Sequence, residues 1–330
     1  MSKINVRQLG RSGIIVSPMG LGCWAIGGPF WLDETPLGWG EVDDAESIRA
    51  IHTALDAGIT LFDTANVYGA GHSEQVLARA LAGNRSRVVI ATKFNSVFNE
   101  TTRQVTGSDS SPAGICTACN ESLRRLNTDY IDLYQFHDNG FPAEKAEPVR
   151  ETLETLVMEG KIRAYGWSTD FPKSAEVFAQ GPKCAAIQLQ LNVLDVNPSV
   201  IALCEKYNLA ALNRGPLAMG LLTDKYTTET KPSIDDVRGI KSPEWMKYFK
   251  DGKPNPEWVR KRNAIREILT SEGRTVAQGA LAWLWAFSEK TLPIPGFRTV
   301  AQVKENVGAM QFGPLTKKQM SEIDMLLERT

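Results

Sequence analysis

Short apolar runs recur along this chain, and each is followed by a stretch in which apolar positions return every three or four residues. The runs occupy residues 19–23, 60–62, 88–92, 131–136, 162–167, 185–189, 210–212 and 291–294, and they read as strands. Helical periodicity fills the intervals at 44–57, 73–81, 112–126, 143–159, 173–178 and 198–206, then at 254–269 and 275–287. A last helix pair covers 299–307 and 316–328. Asp43 or Asp44 can cap the first helix, and Thr316 opens the last with amide and acidic residues behind it. Ahead of the first run, residues 5–16 read as a hairpin turning at Gly10-Arg-Ser-Gly13.

Eight strands each followed by helical material predict an α/β protein built as one (β/α)8 barrel over residues 1–330, with an N-terminal hairpin and extra C-terminal helices. A doubly wound sheet competes with this. Its first β/α turn usually carries a Gly-x-Gly-x-x-Gly fingerprint, and Gly20-Leu-Gly-Cys-Trp-Ala-Ile-Gly27 has the wrong spacing. One stretch fits neither pattern. Residues 225–257 form an irregular insertion after the seventh strand, rich in Pro, Gly, Lys and Asp and carrying Trp245, Tyr248 and Phe249. An insertion of that length on the side where barrel active sites lie reads as a substrate-side flap.

Charge narrows the function classes. A formal net charge of −1 gives no basic surface for nucleic acid and no attraction to a polyanion. The first residues contain no apolar core of a secretory signal, and the richest apolar stretch, 280–287, is too short to span a bilayer, so a cytoplasmic protein without a membrane partner is expected. Five scattered cysteines (Cys23, Cys116, Cys119, Cys184, Cys204) argue against a disulfide scaffold. Cys116-Thr-Ala-Cys119 has no second pair, and three dispersed histidines (His52, His72, His137) make no zinc site, so no metal is expected.

The chemistry gathers at strand ends. Asp63 stands where the second strand stops, Tyr68 follows in its loop, Lys93 ends the third strand and His137 the fourth. Side chains leaving adjacent strand ends converge on one patch of a barrel mouth. A buried lysine needs a partner charge, which Asp63 is placed to give. An ammonium beside a phenol stabilises the phenolate, so Tyr68 is expected to be brought down from the usual value of about 10 into range as a general acid and base. An imidazole at the same rim can orient a substrate oxygen. Such a set suits proton transfer coupled to hydride transfer.

With these residues in place the sequence resembles the aldo-keto reductase family almost end to end. The resemblance rests on Phe62-Asp-Thr-Ala-Asn-Val-Tyr-Gly69, Ala91-Thr-Lys93, the segment from Leu123 to His137, Glu159-Gly-Lys-Ile-Arg-Ala-Tyr-Gly166 and Ile294-Pro-Gly-Phe-Arg298. The segment Gly20–Gly28 looks most like bacterial members acting on sugars and small carbonyls. The resemblance implies a TIM barrel, a catalytic tetrad of Asp63, Tyr68, Lys93 and His137 with Tyr68 as the acid/base, and a nicotinamide cofactor extended across the C-terminal face.

The resemblance also implies cofactor positions. Gly22, Cys23, Trp24 and Asp63 match contacts near the nicotinamide, and Ser168, Thr169 and Gln188 match the carboxamide site, where the family usually has Asn in place of Thr169. Asn213-Arg214-Gly215-Pro216-Leu217 stands where a stacking aromatic often precedes Pro-Leu, so Arg214 takes that place, either stacking on the ring or reaching the pyrophosphate. Leu217, Gly220, Leu221 and Lys225 match the pyrophosphate loop. Gly296, Arg298, Gln302, Glu305 and Asn306 match the adenosine end. Arg298 can pair with a 2′-phosphate, which favours NADP(H) over NAD(H), although the family's other basic residue beside it is replaced by Gly296-Phe297.

For the substrate pocket the sequence offers Trp24, Trp31, Tyr68 and His137, with Trp245 or Phe249 adding an aromatic face. The expected activity is interconversion of aldehydes or ketones with alcohols, on a small-molecule substrate. Two other classes stay open at this stage. Lys93 at a barrel strand end suits a Schiff-base aldolase, and the family also contains cofactor-binding regulatory subunits that do not work as enzymes.

Overall fold

The computed structural model describes residues 6–329; the start of the expected hairpin and the N-terminal stretch read for a leader lie outside them. Eight parallel strands follow one another in chain order: β1 Gly20–Gly22, β2 Leu61–Asp63, β3 Val89–Phe94, β4 Ile131–Phe136, β5 Ile162–Ser168, β6 Cys184–Gln190, β7 Ala210–Arg214 and β8 Thr291–Pro293. A bridge from Gly22 to Gly296, with the Gly22 amide donating to the Pro295 carbonyl at 2.9 Å, closes the ring. The (β/α)8 architecture is therefore as expected.

Helices α1 Asp44–Asp56, α2 His72–Ala80, α3 Pro112–Leu126, α4 Glu147–Met158, α5 Pro172–Ala179, α6 Pro198–Tyr207 and α8 Val276–Phe287 surround the strands, with α7 Pro256–Leu269 before α8. The closing pair is α9 Val300–Gly308 and α10 Lys317–Leu326. Asp43 caps α1 by accepting from the amides of Ala45 and Glu46, and Thr316 forms a capping box with Gln319. The single helix expected over 143–159 is two pieces, a 3-10 turn Ala143–Lys145 and then α4. Pro148 lacks an amide hydrogen and sits in the first turn of α4, where none is needed. No described helix is long and apolar enough to cross a membrane.

Strand parity decides what the barrel holds. Leu61, Val89, Ala91, Leu133, Ala164, Ala186, Leu212 and Leu292 point inward and pack with Leu9, Ile14 and Val16 of the hairpin, which plugs the N-terminal end. The alternate residues Phe62, Ile90, Tyr134, Phe136, Trp167 and Ile187 face the helices. Two residues further along five of these inward rows the chain turns polar. Leu61 is followed by Asp63, Ala91 by Lys93, Leu133 by Gln135, Ala186 by Gln188 and Leu212 by Arg214. The apolar layer is thus the floor of a polar mouth.

Two features of that mouth were not expected. A four-stranded accessory sheet joins Thr35–Pro36, Trp31–Leu32, Gln104–Ser108 and Ser96–Asn99 in that order. Its strands are two to five residues long, and none carries an apolar run. The insertion 225–257 is pinned, and it contains a hairpin of Phe249–Lys250 with Lys253–Pro254. Arg238 is clasped by Asp236 at 2.6 and 2.8 Å and lies 4.3 Å from the Trp39 ring centroid. The buried Tyr248 hydroxyl accepts from Gln190 and Asn192, both at 2.9 Å, and donates to Asp195 at 3.1 Å. Phe249 is buried against Tyr226 and so belongs to the core instead of the substrate face proposed for it above. Its hairpin partner Pro254 is buried with it, while Lys250, Asp251 and Lys253 are exposed.

Candidate active site

Asp63 and Lys93 leave β2 and β3 side by side, both buried. The Lys93 ammonium lies 2.6 Å from Asp63 Oδ1, 2.8 Å from the Thr64 carbonyl and 3.3 Å from the Tyr68 hydroxyl. Its three protons thus have three acceptors. Burial alone would lower its pKa, but the neighbouring Asp63 and Tyr68 outweigh burial and hold it above the ordinary lysine value.

Tyr68 reaches this pair because the chain doubles back after Val67. Gly69 has φ of 62°, and a Cβ there would strike the Gly27 carbonyl, so glycine is required. The indole of Trp24 stacks on the phenol with centroids 5.7 Å apart and 20° between planes, and Trp245 lies 6.2 Å from Trp24. His137 continues the inward row of β4, with its amide bonded to the Phe94 carbonyl at 3.0 Å and its ring edge-on to Tyr68 at 6.0 Å. The four expected catalytic residues therefore meet at one patch.

The electrostatics differ from expectation in one respect. Tyr68 was expected below its usual pKa, but it stands above it. Burial raises it most, Lys93 pulls it down, Asp63 pushes it up, and Arg214 offsets only part of the sum. Sequence shows the ammonium beside the phenol but not the depth at which both lie. His137 moves the other way, well below the usual histidine value, through burial first and then the charges of Lys93 and Arg214. Its Nδ1 is buried without a partner among the described residues, and the ring is neutral at pH 7.

Gln135 was missed. It faces inward on β4, two residues before His137, and donates to Asp63 Oδ2 at 2.9 Å. Strand parity is the signal that marks it. Gln188, expected at the cofactor carboxamide, donates to the same oxygen at 2.8 Å, which commits its amide nitrogen to Asp63.

The other expected cofactor residues line the same mouth toward β7 and β8. Ser168 ends β5, while the buried Thr169 donates its hydroxyl to the Asn139 carbonyl at 3.1 Å. Asn213 is buried with both amide atoms unpartnered among the described residues. Arg214 pairs with Asp170 and donates to Gln190 Oε1 at 3.2 Å. Gly215 and Gly220 have positive φ values of 60° and 91°, turning Pro216, Leu217 and the buried Leu221 around the rim. Cys23 is fully buried, and burial pushes its thiol far up, so it stays neutral.

At the far end Arg298 donates to the carbonyls of Trp39, at 3.0 Å, and Glu41. Gln302 accepts from the Arg298 amide at 2.7 Å, Asn306 donates to the Gly296 carbonyl at 3.3 Å, and Glu305 offers its carbonyl to Gln278. Lys225 is drawn below its usual pKa by burial, then by Arg238 and Arg298. The 225–257 segment thus brings Lys225, and Arg238 already paired with Asp236, toward Arg298 where the sequence beside it has Gly296-Phe297. This cationic corner, the exposed Gly296 and the orphaned Asn213 amide fit an extended anionic dinucleotide. Trp31 is half-buried in the accessory sheet.

A model of the family described as "Aldo/keto reductase family" matches residues 18–328. The chain is 32% identical to "Aldo-keto reductase YhdN" of Bacillus subtilis (strain 168), over 98% of this chain and 93% of that one. Among solved structures it superposes on the glycerol dehydrogenase AKR11B4 from Gluconobacter oxydans with a TM-score of 0.79 at 33% identity, covering 100% and 96% of the two chains. It also superposes on an aldo-keto reductase from Klebsiella pneumoniae in complex with NADPH, with a TM-score of 0.71 at 25% identity, covering 99% and 96%.

Proposed function

The chain belongs to the Aldo/keto reductase family, and from that premise we propose that it is a cytoplasmic NADP(H)-dependent oxidoreductase interconverting small aldehydes or ketones, sugars among them, with their alcohols. The observation that carries this reading is the single ammonium that bonds both the Asp63 carboxylate and the Tyr68 hydroxyl. Glycerol dehydrogenase as a structural neighbour supports small polyols and their carbonyl partners as substrates, and the cationic corner supports NADP(H).

The cofactor supplies or accepts the hydride; the chain's own residues handle the proton. In reduction the Tyr68 O–H donates its proton to the carbonyl oxygen as the carbon gains hydride, leaving a phenolate. Lys93, 3.3 Å away, stabilises that phenolate, and Asp63 keeps Lys93 charged and in place. The neutral His137 at the rim hydrogen-bonds the substrate oxygen and orients it. In the reverse direction the phenolate takes the alcohol proton.

The Schiff-base alternative needs a neutral, free amine. Lys93 is charged, and its three protons are all engaged, which argues against it. A complete acid/base set argues for turnover over a purely regulatory role. The test is Tyr68→Phe, assayed by NADPH oxidation over a panel of aldoses and simple aldehydes. Turnover should vanish while NADPH affinity stays near that of the parent. Retained turnover would sink the mechanism, and a borohydride-trapped adduct on Lys93 would restore the aldolase reading.

A further inference from the structure

Asp63 is held from two sides. Lys93 takes Oδ1, and Oδ2 accepts from both Gln135, at 2.9 Å, and Gln188, at 2.8 Å. Gln188 Nε2 also lies 3.1 Å from Gln135 Oε1, so the two carboxamides orient each other. Asp63, Gln135 and Gln188 come from β2, β4 and β6, the alternate strands that contribute one layer of a barrel interior, and all three are buried. We propose that Gln135 is a positioning residue that, with Gln188, fixes the Asp63 carboxylate against Lys93 and thereby sets how readily Tyr68 releases its proton. The proposal rests on the acid/base reading of Tyr68 above.

The physical route is short. A buried carboxylate oxygen with two amide donors is well satisfied, and removing one leaves Asp63 more dependent on its remaining cation. Lys93 is shared unequally, at 2.6 Å from Asp63 and 3.3 Å from Tyr68. Strengthening the carboxylate's hold draws the ammonium from the phenol and weakens support for the phenolate. The charged or titratable groups facing Tyr68 are Asp63 from β2, Lys93 from β3, His137 from β4 and Arg214 from β7. Arg214 is held separately by Asp170 and Gln190, so only the Asp63–Lys93 arm runs through Gln135.

The test compares Gln135→Met, which keeps the volume without the amide, and Gln135→Asn, which keeps an amide but withdraws it from Asp63. The readout is the pH profile of kcat/KM for alcohol oxidation with NADP, alongside circular dichroism and NADPH affinity. The limb that reports phenolate formation should move alkaline by about one pH unit, which is about a tenfold slower oxidation below the limb. Damage of a merely structural kind would lower the plateau and leave the limb in place. A limb that stays put in whichever variant is folded overturns the proposal. Turnover by Tyr68→Phe would instead overturn the underlying mechanism, so the two failures are distinguishable.

Discussion

Replacing Lys93 with Met tests an ion pair both of whose members are buried, the ammonium 2.6 Å from the Asp63 carboxylate. The side chains are similar in volume, so the packing change is small, about 1 kcal/mol or less. What remains is a buried Asp63 carboxylate without its cation. Breaking a buried ion pair from one side costs about 3–5 kcal/mol. Here Gln135 and Gln188 still donate to Oδ2, which places the expected loss near the lower end, about 3 kcal/mol. Adding Asp63→Asn removes the stranded charge, so the double variant should return to within about 1.5 kcal/mol of the parent. Urea denaturation at pH 7.5 measures all three proteins. A Lys93→Met protein within about 1 kcal/mol of the parent at pH 7.5 would refute the claim that this pair is buried and mutually dependent.

Arg298→Ala should weaken NADPH binding at least about tenfold and NADH binding much less, because only the former carries a 2′-phosphate; equal losses in fluorescence titrations would assign Arg298 to bracing the Trp39–Glu41 loop instead. His137 has a folded pKa well below its unfolded value, so its contribution to stability is complete above about pH 6.5 and is lost as pH falls. Denaturant midpoints at pH 7.5 and pH 5 should accordingly drop more in the parent than in His137→Asn, and parallel drops would contradict the half-buried neutral ring.

The barrel, and the convergence of Asp63, Lys93 and His137 on its mouth, were legible for one reason: both follow from runs of side chains with a fixed alternation. Once Leu61, Ala91 and Leu133 are assigned inward, Asp63, Lys93 and His137 must line the same channel. The same parity applies to Gln135, which the sequence reading passed over because a neutral amide in an apolar run carries no chemical signature until its partner is known. Gln188 had the opposite fate, since a resemblance placed it near a cofactor and gave no hint of its bond to Asp63. The accessory sheet and the pinned insertion escaped because their order comes from distant contacts. Tyr248 is fixed by Gln190, Asn192 and Asp195, far away in the chain. Which of Trp245 and Phe249 faces the mouth depends on that anchor, with Trp245 half-exposed over Trp24 and Phe249 buried beneath.

The upward displacement of Tyr68 has a consequence for direction that composition conceals. Two cations, Lys93 and Arg214, and one carboxylate, Asp63, act on the phenol, and listing them suggests a site that favours the phenolate. Their pairing is unequal. Lys93 is closer to Asp63 than to Tyr68, and Arg214 is drawn aside by Asp170. Each cation is mostly neutralised by its own carboxylate, so the desolvation of the half-buried phenol prevails and Tyr68 rests protonated at neutral pH. A resting proton donor is ready for carbonyl reduction, whereas oxidation must first remove that proton. Reduction should therefore be the faster direction near pH 7, with oxidation gaining as the medium becomes alkaline.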